Sequence, residues 1–130
     1  MTVFYLCMTS IAFGNDLCMP EGFTFTDGSP DYSKGLLCKG SETEHFFLMT
    51  DDASIIEEII FKNDTLQQGV LCTTSKDLDF IHFGEHLIER KTLILHKNDE
   101  KIGECQLLPS DILREVAERY LHISLSKNKL

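Results

Sequence analysis

The chain has 130 residues, 42% apolar and 25% charged, which suits one globular domain and excludes a disordered chain. No apolar run approaches the ~20 residues that cross a bilayer as a helix. A formal charge of −9 without a concentrated basic stretch argues against nucleic acid and leaves a basic partner, or solubility alone, as its use.

Residues 1–14 carry no charged side chain and are mostly apolar, like the core of a secretory signal peptide, and Ala12-Phe13-Gly14 offers a small-x-small cleavage site. No Lys or Arg precedes the stretch, so a buried N-terminal strand is the competing reading. Cleavage after Gly14 removes Cys7 and leaves Cys18, Cys38, Cys72 and Cys105. An even count in a small exported domain reads as two disulfides, each stabilising by about 3 to 5 kcal/mol through loop closure. Three pairings are open. Cys38 with Cys105, which joins the first and last core strands, is preferred and leaves Cys18 with Cys72. Four reduced cysteines in an intracellular protein are the alternative.

Residues 15–34 are rich in Gly, Pro, Asp and Ser and read as an irregular leader anchored at Cys18. Only Phe23-Thr24-Phe25-Thr26 has strand character, and Asp27-Gly28-Ser29-Pro30 reads as a turn. Residues 35–39 and 44–49 form a first hairpin around Gly40-Ser41-Glu42-Thr43.

Residues 54–61 carry two signals. Ser54 and Glu57 have capping-box spacing and the isoleucines share a helical face, but four β-branched residues in eight, between strand-like neighbours, favour a strand. Asn63-Asp64-Thr65 is a turn-like glycosylation sequon, used only in a eukaryotic secretory pathway. Residues 69–74 and 78–83 continue the short strands. Residues 92–96 and 102–107 make a second hairpin whose turn contains Asn98-Asp99, residues that tolerate positive φ.

The expected fold is therefore mainly β: a small antiparallel meander closing as a barrel or sandwich over residues 35–108, with a C-terminal α-helix over 109–130. After Pro109 the apolar period lengthens to Ile112, Leu113, Val116, Ala117, Tyr120 and Leu121, a stripe that packs on the sheet. Ser110 is placed to cap this helix, and Lys127 and Lys129 lie beyond its far end.

His82-Phe83-Gly84-Glu85-His86 matches the H-x-x-E-H pattern of inverted zinc peptidases, in which two histidines one helical turn apart bind the metal. Gly84 in its middle and the strand-like flanks point instead to a turn. A small zinc-dependent hydrolase using His82, Glu85 and His86 is thus an alternative function, and an intracellular protein interacting through its C-terminal helix is another. His45, His96 and His122 have no ligand-like companion in sequence. Asp51-Asp52, Glu57-Glu58 and Asp99-Glu100 are adjacent pairs, which a strand turns to opposite faces. With no phosphate loop, nucleophile elbow or dinucleotide fingerprint, no catalytic residue and no cofactor are expected.

The frame from Leu37-Cys38 to Glu104-Cys105-Gln106-Leu107, with short strands between a first-strand and a last-strand cysteine, resembles the membrane-bound inhibitors of C-type lysozyme over residues 35–108. The resemblance implies a periplasmic or secreted β-barrel that binds and does not catalyse. The Ser-Gly-x-x-Tyr loop of that family does not occur here, so no inhibitory residue is carried over. The expected function is a small exported, disulfide-stabilised binding or inhibitor-like module for a basic protein partner.

Overall fold

A computed structural model of the chain describes residues 17–20, 30–41 and 43–127. The signal-like segment, Phe23-Thr24-Phe25-Thr26, most of the expected turn after it and Lys129 lie outside the described residues. The fold is mainly β, as the periodicity predicts. Its strands are β1 (Cys18–Met19), β2 (Tyr32–Lys39), β3 (Glu44–Thr50), β4 (Ile55–Lys62), β5 (Thr65–Thr73), β6 (Ser75–Lys76), β7 (Phe80–Phe83), β8 (His86–Glu89), β9 (Ile94–Lys97) and β10 (Glu100–Pro109). Among the described residues one helix, α1 (Ser110–Ser126), follows.

All ten strands join in one antiparallel sheet, ordered β1-β5-β4-β3-β2-β10-β9-β8-β7-β6 and curled into a half-barrel. From β5 the chain runs straight into β6, at the opposite edge of the sheet. This passage is held where the Thr74 N–H donates to the Ser54 carbonyl at 3.0 Å and the Lys76 ammonium to the Asp52 carbonyl.

Strands β2 and β3 are buried on both faces, which is why Leu36-Leu37-Cys38 and Phe46-Phe47-Leu48-Met49 read as continuous apolar runs and not as alternation. Leu36, Cys38, Phe47 and Met49 point into the half-barrel, where they meet Ile56, Ile81, Phe83, Ile88 and Leu95. Phe47 and Phe83 touch edge to face across it, with centroids 5.4 Å apart. Leu37, Phe46, Leu48 and Ile59 point outward against Leu113 and Ala117 of α1. The helix lies so close that a Cβ on Gly35 would stand 2.5 Å from Leu113 Cβ.

Residues 55–62 are a strand and not a helix: Ser54 caps nothing, but closes the β3–β4 turn through Asp52, whose Oδ1 accepts from the Ser54 N–H at 3.0 Å. Asn63-Asp64 and Asn98-Asp99 form two-residue hairpin turns with positive φ at both positions, 55° and 63° in the first, 51° and 68° in the second. Strand β2 begins at Tyr32, inside the segment read as leader, and Cys18 itself belongs to a short edge strand.

Ser110 does not cap α1. Pro109 occupies that position, and the Ser110 hydroxyl instead donates to the Tyr32 carbonyl at 2.9 Å, tying helix to sheet. The buried stripe is also narrower than its period suggests: Leu113, Ala117 and Leu121 are buried, while Ile112 is 39% exposed.

The disulfides are Cys18–Cys72 and Cys38–Cys105, the pairs preferred above. Each joins directly opposed residues of neighbouring strands, β1 with β5 and β2 with β10. Leu17 and Thr73 take the backbone bond beside the first pair, and the Cys105 N–H donates away from β2, to the Leu93 carbonyl. Both cystines therefore occupy non-hydrogen-bonded positions, where opposed side chains approach most closely.

Candidate functional site

At one end of the half-barrel the inner face is not filled. A cleft of 410 Å³ opens there between β3–β5 and the β7–β8 turn. Its floor is formed by Phe47, Ile56 and Phe83, each no more than 2% exposed, Val70, 39% exposed, stands at its mouth, and the Cys18–Cys72 disulfide forms one wall.

The polar rim follows from strand geometry. Glu58 lies two residues after Ile56 and so shares its inward face, opposite Phe47 on β3. His45, two residues before Phe47, is on that face as well, and its Nδ1 meets Glu58 Oε2 at 3.3 Å. His86 is directly opposed to Phe83 across the β7–β8 hairpin, and its ring stacks on that phenyl at 5.0 Å with a 17° interplanar angle. The same imidazole presents an edge-on contact to Phe47 at 5.9 Å. Lys97 opposes His86 on β9, and Glu85 projects from the exposed turn.

That turn needs glycine twice over. Gly84 has φ of 59°, as the first central position of a tight hairpin turn requires, and a Cβ there would stand 2.9 Å from Cys18 Sγ. The backbone therefore packs directly on the disulfide.

Burial holds the His86 pKa below its ordinary value, and Lys97 and His45 push the same way; Glu58 and Glu85 oppose them without reversing the shift. Burial thus favours the neutral imidazole. The rim then carries two carboxylates, Glu58 and Glu85, against one ammonium, Lys97.

His82 and His86 do not meet. His82 is opposed to Leu87 and faces outward, with Asp77 Oδ2 at 4.0 Å, whereas His86 faces the cleft. Four residues around a two-residue turn bring the imidazoles to opposite faces of a hairpin, where a helix would have aligned them. No group of three His, Cys, Asp or Glu side chains placed to hold a metal occurs among the described residues. Asn63 sits at the exposed tip of the β4–β5 hairpin.

Two histidines without companions in sequence have them in space: His45 with Glu58, and His96, whose Nε2 lies 2.7 Å from Glu89 Oε2. The adjacent pair Glu57-Glu58 does divide between faces, Glu58 inward to the cleft and Glu57 outward beneath α1. Phe47, Glu58, Val70 and Lys97 come from four strands, and only the alternation of Ile56 and Glu58 marks any of them locally. No protein-family model, curated protein or solved structure matches the chain.

Proposed function

We propose that the chain is an exported, disulfide-stabilised binding or inhibitor-like module, acting without catalysis, whose cleft receives an anchor from a basic protein partner. The observation that carries this reading is the cleft itself: Val70 and the Cys18–Cys72 disulfide present apolar surface over a buried floor of Phe47, Ile56 and Phe83, in a volume within the range of about 300 to 1,000 Å³ usual for ligand sites. The charge of −9 favours encounter with a cationic protein. Two disulfides suit the periplasm or an extracellular space, where thiols stay oxidised, and among the described residues no helix is long and apolar enough to cross a membrane.

The test is a titration with the neutral dye Nile red, followed by calorimetry with C-type lysozyme as the basic protein at low and high salt. Wild type is expected to take up dye at one site and to bind the basic protein more weakly as salt rises. Val70→Lys, which puts a like charge in the mouth, is expected to lose at least about tenfold in both. A folded wild type that binds neither dye nor protein overturns the reading.

A further inference from the structure

Resting on that reading, we infer that Cys18–Cys72 is a reducible latch: a dithiol that opens it detaches β1 and exposes the apolar floor of the cleft. The two ends of the curled sheet meet at this cystine. Strands β5 and β7 stand near opposite ends of the sheet order, yet a Cβ on Gly84, which follows β7, would lie 2.9 Å from Cys18 Sγ and 3.7 Å from Cys72 Sγ. No strand pairing joins those ends among the described residues, so the bridge packs directly into the seam between them. Cys72 shares one buried cluster with Phe47, Ile56 and Phe83, and all four line the cleft. The bridge is therefore part of what keeps that floor from solvent.

Its two sulfurs are unequal. Cys18 is exposed on an edge strand of two residues, whereas Cys72, on β5, is only 4% exposed. A thiolate of the dithiol therefore attacks Cys18 Sγ; the S–S bond breaks, and its electron pair leaves on Cys72 Sγ, which takes up a proton. The reductant's second thiol then displaces Cys18 as a thiol and closes the reductant's own disulfide, so one cystine is reduced for each dithiol oxidised. Among the described residues β1 then keeps two paired positions, Cys18 with Cys72 and Met19 with Leu71, and the Leu17 and Thr73 hydrogen bonds at 2.8 and 3.0 Å. A strand that short does not hold by itself. Cys38–Cys105 lies in the middle of the sheet, with Cys38 fully buried, and keeps the fold through the same treatment.

The full chain is treated with graded dithiothreitol, free thiols are blocked and mapped by mass, and hydrogen exchange is followed on the same samples. At the step where Cys18 and Cys72 are blocked and Cys38 and Cys105 are not, amides of residues 17–19, 69–73 and 83–86 are expected to exchange at least about tenfold faster, while β2 and β3 stay protected. The double variant Cys18→Ser with Cys72→Ser is expected to show the same pattern without reductant and to bind Nile red at least about tenfold more tightly than wild type. Unchanged exchange at 83–86, or dye affinity unchanged in the double variant, overturns the latch. So does loss of protection in β2 and β3 at that step, which makes the bridge a staple of the whole fold. Exchange needs no guest: a chain that opens at 83–86 but takes up neither dye nor basic protein in the oxidised state overturns the binding reading and keeps the latch.

Discussion

Tyr32 donates its phenolic proton to Glu57 Oε1 at 2.6 Å beneath the C-terminal helix, on the face of the sheet opposite the cleft. Glu57 is only 7% exposed, and burial raises its pKa above the ordinary 4.5 despite the Tyr32 hydrogen bond and the nearby Arg114. Burial also raises the Tyr32 pKa, and the Glu57 charge adds to it.

An acid whose native pKa is raised binds its proton more tightly folded than unfolded. Its contribution to stability is full below the unfolded value and falls as pH rises through the native one. Urea midpoints are therefore expected to carry a component that declines above pH 4.5, and Glu57→Gln, which still accepts from the phenol, removes it. Tyr32→Phe costs about 1 to 3 kcal/mol at neutral pH by leaving the buried carboxylate without its donor. A pH profile unchanged by Glu57→Gln would contradict this assignment.

His86 supplies a component of opposite sign. Its lowered native pKa means that the unfolded chain takes up the proton first, so stability is full above the ordinary 6.5 and is lost as pH falls through the native value. His86→Phe keeps a ring between Phe83 and Phe47 and abolishes that acid loss. Denaturation midpoints from pH 7 downward, with NMR titration of the imidazole, check both the direction and the residue.

Close approach of helix and sheet at Gly35 gives a steric prediction. A methyl there meets Leu113 at its Cβ, near the helix backbone, where nothing can swing aside. Gly35→Ala should destabilise by about 1 to 3 kcal/mol as α1 is pushed off the sheet. Equilibrium urea unfolding reads the loss, and an unaltered midpoint would mean that the helix is seated further from β2.

The two disulfides close spans of 54 and 67 residues, so loop-closure entropy assigns each about 4 kcal/mol. Their accessibility differs: Cys38 is fully buried, while Cys18 is exposed on an edge strand. Graded thiol reductant, read by alkylation and mass mapping, should open Cys18–Cys72 before Cys38–Cys105. Thiol titration of the denatured, unreduced full chain should find no more than one reactive thiol, since only Cys7 lies outside the bridges.

Local features of the chain determined its elements. Apolar runs at 36–38 and 46–49, Asn-Asp pairs with positive φ at 63–64 and 98–99, and a lengthened period after Pro109 each act within a few residues, and each became the strand, turn or helix expected. The same local reasoning separated Glu57 from Glu58 and turned His82 away from His86, because alternation on a strand is a property of neighbours. Tertiary structure alone decided which strands the curl brings face to face. Phe47 reaches Phe83 and His86 only because the sheet bends back on itself, while His45 reaches Glu58 and Ser110 the Tyr32 carbonyl through the pairing of strands whose partners the local sequence does not name. That curvature is set by packing on both faces of the sheet at once, between residues that lie far apart in the sequence.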